Sequence, residues 1–220
     1  MPADLKQPLL TARQQLTSLI RQIKEEGQQE NLLPTLETVL TELDNMARHD
    51  HLTGALNRRT LISVLESELA RSLRTGHTFS FAVISVDALE QILEQHGQAA
   101  ARQVLRRLAD EAGRRLRTLD AFGRVAANEF AIVMPGTWLV ASLKAIARLQ
   151  AGLRQADWSP IAPALSITFC SGVTTNAQGD SAEGMLQRAL DALQQARASG
   201  PGSVASSEPP LPGFDTAAPE

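Results

Sequence analysis

The sequence predicts an α/β layered domain, and three observations support this fold class. After about residue 50, apolar residues alternate between helical spacing and short runs of strand length. The segment FSFAVISV, residues 79–86, is rich in β-branched and aromatic residues, as strands are. Two short apolar runs within 121–134 flank a small polar turn at Ala126 to Asn128, which is typical of a β-hairpin. Since helices and strands alternate along the chain, we expect them to pack in layers around a shared core.

The remaining elements continue this alternation. Helical spacing of apolar residues predicts helices over 60–74 and 89–116 before the hairpin, and over 138–155 and 182–198 after it. A strand is predicted over 164–173, ALSITFCSGV, because β-branched and aromatic residues are concentrated there.

The two ends of the chain differ from this central region. Apolar residues recur at helical spacing from 5 to 23 and from 33 to 47, which predicts an N-terminal helical element over residues 1–48. Each apolar stripe needs a partner, so the element is either an intrachain hairpin or a short coiled coil that joins two chains. Residues 201–220 are rich in Pro, Ser and Ala without apolar periodicity, and we predict a disordered tail there.

Composition and charge exclude several classes of function. Hydrophobic residues make up 43% of the 220 residues and charged residues 20%, as in globular proteins. The net charge of −3 does not favour nucleic acid or an anionic membrane as a partner. The single cysteine, Cys170, excludes an internal disulfide framework. No stretch approaches the roughly 18 apolar residues of a membrane span, and we expect a cytoplasmic protein.

Two motifs in the central region point to a known family. DHLTGALNRR occupies residues 50–59, and GRVAANEFAIVMPGT occupies residues 123–137. With the strand ending SVD, the turn HGQAAA and the helix LQRALDALQQARASG, residues 49–200 resemble the GGDEF family, the diguanylate cyclase domains of bacterial signalling. The resemblance implies a palm-like mixed central sheet wrapped by helices. It also implies a dimer that condenses two GTP molecules to cyclic di-GMP with magnesium.

The metal-binding positions of that family carry different residues in this chain. The resemblance places the family's metal-binding aspartate at Ser85 and the carboxylate of its signature turn at Asn128. Magnesium is held by anionic oxygens, so a hydroxyl and an amide remove most of its electrostatic attraction. We therefore expect no metal and no magnesium cofactor. Asp87 and Glu129 keep carboxylates, for which we favour structural roles; they would be the residues to test if the chain were a cyclase.

The nucleotide-binding positions have changed as well. The family's phosphate-facing lysine corresponds to Glu90, and its guanine-reading residues correspond to Leu93 and Arg102. Alanines at 126–127 replace two glycines of the signature turn and add a Cβ where the family's backbone approaches a phosphate. A lysine of the last helix corresponds to Arg197. Because metal, phosphate and base contacts have changed together, we predict a degenerate domain without catalytic activity.

A second site of the family is retained. RTLD, residues 117–120, matches the RxxD inhibitory motif at which many members bind cyclic di-GMP, and the resemblance adds Arg148 to Arg117 and Asp120. A guanidinium can stack on guanine and donate to its O6 and N7, while a carboxylate accepts from its N1 and N2. The alternative is that Asp120 begins a strand while both arginines lie on solvated helix faces.

The sequence favours a catalytically inactive GGDEF-domain signalling protein in the cyclic di-GMP pathway. It would act as a cyclic di-GMP receptor through the RxxD site, or as a protein-interaction module whose N-terminal helices hold a protein partner or a second subunit. Two alternatives stay open: an active diguanylate cyclase, and a structural dimerisation scaffold that binds no nucleotide.

Overall fold

The computed structural model describes residues 47–163 and 165–209, together with four N-terminal residues, 16, 17, 36 and 38. These four residues and residues 47–48 are helical. The rest of the predicted N-terminal element lies outside the described residues, so the choice between hairpin and coiled coil stays a prediction. Within the described residues no helix combines the length and the apolar character needed to cross a bilayer.

Strands and helices alternate along the described chain, as predicted. The strands are β1 (Leu56–Asn57), β2 (Ser80–Val86), β3 (Ala121–Arg124), β4 (Glu129–Met134), β5 (Phe169–Thr175) and β6 (Val204–Ser207). The helices are α1 (Arg58–Thr75), α2 (Leu89–Arg115), α3 (Leu139–Gln155) and α4 (Ala182–Ala198). The predicted strand at 79–86, the hairpin and the four helices predicted after residue 50 are confirmed.

All six strands join one mixed sheet in the order β1-β3-β4-β2-β5-β6. The outer pairs, β1–β3 and β5–β6, are parallel, and the three central pairs are antiparallel. The predicted α/β class is therefore confirmed. In this register Ser85 of β2 lies opposite Glu129 of β4 on one side and Cys170 of β5 on the other.

The helices cover both faces of the sheet, and β2 lies between them. All seven residues of β2 are buried. Ala82, Ile84 and Val86 belong to the core cluster under α2 and α3, whereas Phe81 and Val83 belong to the cluster under α1 and α4. Because side chains alternate along a strand, the odd-numbered residues of β2 face α1 and α4.

Two sequence predictions are wrong at their boundaries. The strand predicted over 164–173 begins instead at Phe169, because its partner β2 ends at Val86, which pairs with Phe169. The tail predicted to be disordered over 201–220 contains β6, which pairs in parallel with β5. Backbone pairing along the free edge of β5 orders this segment without an apolar pattern in its side chains, and the strand prediction relied on such a pattern. Residues 210–220 lie outside the described residues.

Gly172 of β5 provides a test of how closely the sheet packs on α4. A Cβ at Gly172 would overlap the carbonyl oxygen of Ala189 and the amide nitrogen of Leu193. We therefore expect Gly172→Ala to lower the free energy of unfolding by about 1–3 kcal/mol, as overpacking does. Gly113 of α2 has open space around its Cα. Gly113→Ala should raise stability by about 0.5–1 kcal/mol. Urea denaturation measures both; equal effects would contradict the close approach.

Candidate functional site

The first candidate site is a cleft where β2 ends beside the turn that joins β3 to β4. Ser85 and Glu129 are paired across β2 and β4 and lie at odd-numbered positions, on the face covered by α4. The backbone N–H of Val86 donates to the carbonyl oxygen of Asn128 at 3.1 Å, which holds the turn against the strand. The structure thus brings together three of the predicted positions, Ser85, Asn128 and Glu129.

Arg197, in the last turn of α4, reaches into this cleft. Its Nη2 donates to Ser85 Oγ at 2.6 Å and to Glu129 Oε1 at 2.9 Å. The sequence identifies Arg197 only as the counterpart of a family lysine and does not predict these contacts. These contacts join residues 112 and 68 positions apart, so no local pattern in the sequence predicts them.

Asp87, at the end of β2, is occupied by structural hydrogen bonds. Its Oδ2 accepts from Thr168 Oγ1 at 2.7 Å and from the backbone N–H of Gly202 at 2.8 Å. The next residue, Ala88, has a left-handed backbone with φ 54°, which costs about 1–3 kcal/mol in a residue other than glycine. The bonds of Asp87 therefore anchor a strained junction between β2 and α2.

Asp87 also affects the single cysteine. Burial raises the pKa of the Cys170 thiol, and the hydrogen bond and negative charge of Asp87 raise this pKa further. The thiol is therefore protonated at neutral pH, and a protonated thiol is neither a good nucleophile nor a good metal ligand.

The turn between β3 and β4, which corresponds to the family's signature turn, contains Ala126 and Ala127 without backbone strain. Among the described residues, Ala88 alone combines a positive φ with a side chain, so neither Ala126 nor Ala127 occupies a conformation that favours glycine. The turn is closed by the N–H of Ala126, which donates to Glu129 O at 3.2 Å. Arg124 Nη2 donates to Ala127 O at 2.6 Å.

The motif DHLTGALNRR, residues 50–59, supports this turn through Arg124. Asp50 Oδ1 accepts from the N–H and the hydroxyl of Thr53 at 2.9 and 2.7 Å, and from Arg124 Nη1 at 3.3 Å. Burial raises the pKa of Asp50, but the hydrogen bonds from Thr53 and the charge of Arg124 outweigh burial and lower the pKa overall. Arg124 Nε is buried without a hydrogen-bond partner among the described residues. Asp50 and Arg124 together thus connect the two motifs that carry the family resemblance.

The residues of the cleft do not fit a magnesium ion. No group of three or more His, Cys, Asp or Glu side chains within the described ranges is arranged to hold a metal. Glu129 is paired with Arg197, and Asp87 is bonded to Thr168 and Gly202. A site with one paired carboxylate and an adjacent guanidinium lacks the anionic oxygens that magnesium requires.

Three of the changed nucleotide-binding positions lie on α2. Glu90 and Leu93 are exposed on its first turns, and Leu93 has 46% of its surface accessible. Arg102 is partly buried beyond a kink at Gly97, where φ is 82°. Glu90 and Leu93 therefore face solvent at the positions that correspond to a lysine and a base-reading residue of the family.

The second candidate site lies at the opposite end of α2, in the turn that leads to β3. Asp120 Oδ2 accepts from the backbone N–H of Arg117 at 2.8 Å. Arg148 of α3 donates from Nη2 to the carbonyl oxygen of Arg115 at 2.8 Å, although the two residues are 33 positions apart. The structure therefore holds Arg148 against the last residue of α2, two positions before Arg117.

Packing between α2 and α3 holds Arg148 at this turn. Arg115 lies flat against α3, where a Cβ on Gly152 would overlap its guanidinium. Glu111, which is 6% exposed, accepts from Arg115 Nε at 3.2 Å and pairs with its Nη2 at 3.0 Å. Asp120 also directly precedes β3, and Arg117 and Arg148 are exposed. The geometry is thus compatible with a ligand site and with the structural alternative.

Comparison with solved structures defines the class of fold. The chain matches the diguanylate cyclase SiaD of Pseudomonas aeruginosa, solved with its activator SiaC, at 26% identity and a TM-score of 0.71, over 92% of this chain and 78% of that one. It matches a microbial GGDEF domain, solved to show its interaction with cyclic di-GMP, at 27% identity and a TM-score of 0.65. That match covers 75% of this chain and 99% of that one. The fold is that of a GGDEF domain.

The chain belongs to the GGDEF family, as the two motifs predicted. Residues 47–203 match the family described as "Diguanylate cyclase, GGDEF domain". Diguanylate cyclase DgcP of Pseudomonas aeruginosa is 34% identical over 151 residues, which cover 69% of this chain. This match spans 22% of the length of DgcP.

The lowered pKa of Asp50 predicts how the stability of the fold changes at acid pH. A carboxyl whose pKa is lower in the folded state stabilises the fold above its ordinary pKa, 3.8, and this stabilisation is lost as the pH falls through the folded-state pKa. We expect Asp50→Asn to be less stable than wild type at pH 7 and the difference to shrink below about pH 4. Thermal unfolding across this pH range measures the difference.

Thr53→Val serves as the control for the cause of this shift, because it removes the hydroxyl that donates to Asp50. It should weaken the acid dependence without abolishing it, since Arg124 remains. A difference between Asp50→Asn and wild type that stays constant down to pH 2 would contradict the assignment.

Proposed function

We propose that this GGDEF domain acts in cyclic di-GMP signalling as a receptor and not as a cyclase. It binds cyclic di-GMP through Arg117, Asp120 and Arg148. The observation that carries the proposal is the 2.8 Å hydrogen bond from Arg148 Nη2 to Arg115 O, which brings α3 to the RxxD turn.

The free groups at this turn suit a guanine base. Within the described part of the chain, the guanidinium of Arg117 has no hydrogen-bond partner and Asp120 Oδ1 accepts no hydrogen bond, so both are available to a ligand. An arginine can stack on the base or donate to its O6 and N7, and a carboxylate accepts from its N1 and N2. Arg148 adds a second cation for a phosphate. Binding of cyclic di-GMP by a GGDEF domain of the same fold supports this choice of ligand.

Three features of the cleft support the loss of cyclase chemistry. Ser85 and Asn128 supply no charge for a metal ion, and Arg197 already pairs with Glu129. Glu90 places a negative charge where a triphosphate would need a positive one. Two-metal phosphoryl transfer needs both the ions and the charged phosphate contacts, so the cleft is poorly suited to catalysis.

Exposed apolar side chains favour a protein-interaction role as a second candidate. Trp138 and Val140, at the start of α3, have 69% and 66% of their surface exposed, and Leu119 within the RxxD turn has 76%. Aromatic residues are enriched at protein interfaces. This role is compatible with ligand binding, because a receptor passes its signal to a partner.

Isothermal titration calorimetry of the whole chain with cyclic di-GMP tests the receptor proposal. We expect saturable binding that Arg117→Ala and Arg148→Ala each weaken by about tenfold to a hundredfold, the range of a lost charge-assisted hydrogen bond. Arg74→Ala is the matched control, since Arg74 is exposed in the last turn of α1, on the other face of the sheet. A folded wild type that releases no heat, or equal losses with the Arg74 variant, would contradict the proposal.

Incubation with GTP and magnesium tests the loss of cyclase activity. We expect no release of pyrophosphate above that of GTP alone, because the cleft lacks the metal ligands that the chemistry requires. Turnover that disappears in Glu129→Ala would show that the chain is a cyclase after all.

A further inference from the structure

A single nitrogen of Arg197 connects two strands and a helix at the cleft. Arg197 Nη2 lies 2.6 Å from Ser85 Oγ of β2 and 2.9 Å from Glu129 Oε1 of β4, while Arg197 itself belongs to α4. The two oxygens therefore accept from the same nitrogen, and the positive charge beside them is that of the Arg197 guanidinium.

The surroundings of these atoms favour the interaction. Ser85 is 3% exposed and the Glu129 side chain 19% exposed, whereas the Arg197 side chain is 44% exposed. Screening by water is therefore weaker at the oxygens than at a fully exposed ion pair. The other carboxylate near the end of β2, Asp87, is directed to Thr168 and Gly202 and does not contact Arg197 among the described bonds.

We propose that the guanidinium of Arg197 replaces the divalent cation of the family as the positive charge that holds the end of β2 to the signature turn. The cleft is then held in its folded geometry by a covalently attached cation. Divalent ions do not stabilise the domain.

Position and charge exclude a metal ion while Arg197 is in place. A metal that used Ser85 Oγ and Glu129 Oε1 would occupy the space in which the guanidinium donates to the same two atoms. A metal ion and a guanidinium that share these two oxygens would repel each other, and the single carboxylate of Glu129 cannot neutralise both. Arginine is also suited to this role, since its guanidinium stays charged and can donate to two acceptors at once.

This inference does not rest on the proposed cyclic di-GMP site. The RxxD turn shares no residue with the cleft, and the experiments below contain no cyclic di-GMP. Failure of the receptor proposal therefore leaves this inference intact, whereas failure of this inference would also weaken the proposed loss of cyclase chemistry, which uses the same Arg197–Glu129 pair.

Thermal unfolding of matched variants tests the role of Arg197. We expect Arg197→Met to lower the melting temperature more than Arg74→Met, which also removes an arginine from the last turn of a helix. Arg197→Lys should recover part of the loss, because it restores the charge. Magnesium chloride should not raise the melting temperature of wild type above that in sodium chloride of equal ionic strength. A magnesium-dependent rise, or equal effects of the two methionine variants, would overturn the proposal.

Binding of Mn²⁺, measured by electron paramagnetic resonance, tests the competition directly. One variant restores carboxylates with Ser85→Asp and Asn128→Asp and keeps Arg197; the other adds Arg197→Met. We expect the variant without the guanidinium to bind Mn²⁺ at least about tenfold more tightly, because a competing charge has been removed. Circular dichroism confirms that both are folded. Equal affinities, or no binding by the folded variant that lacks Arg197, would overturn the proposal.

Discussion

The central position of β2 is the constraint on which the rest of the structure depends. β2 pairs with β4 on one side and β5 on the other, and all its residues are buried between two helical layers. Its alternation therefore decides which helix each side chain meets. Ala82 and Ile84 pack under α2 and α3, while Ser85 is directed to α4 and to Glu129 of β4. The chemistry of the cleft follows from this register, and a slip of one residue would place an aliphatic side chain beside Arg197.

In the cleft, the positive charge of Arg197 is paired with the negative charge of Glu129. In a metal-dependent site, carboxylates supply negative charge and soluble ions supply the positive charge. Here Ser85 and Asn128 remove two negative charges, and Arg197 supplies one positive charge opposite Glu129. These two side chains form a pair without net charge. The changes at Ser85 and Asn128 can thus be understood together, because both remove negative charge from the cleft that Arg197 enters.

The sequence predicted the elements well because their signals are local. Apolar spacing located α4 and the hairpin, and two motifs identified the family. β6 was missed because an edge strand ordered by backbone pairing to β5 needs no apolar pattern. The contacts of Arg197 were missed for another reason. They join residues far apart in sequence, and only the fold brings α4 to the ends of β2 and β4. Arg148 was named only because the family resemblance supplied its position, and its role as a ligand-binding residue stays a prediction.

The two candidate sites are physically separate, so one can change while the other is retained. The cleft lies where α2 begins, at Asp87 and Ala88, and the RxxD turn lies where α2 ends, at Arg115. Strand β3, Ala121–Arg124, separates the RxxD turn from the signature turn, and four strand residues span about 13 Å. Different interactions also hold the two sites. Arg197 and Asp87 hold the cleft, whereas packing of α2 on α3 positions Arg148. The side chains at Ser85 and Asn128 therefore make no contact on which the RxxD turn depends.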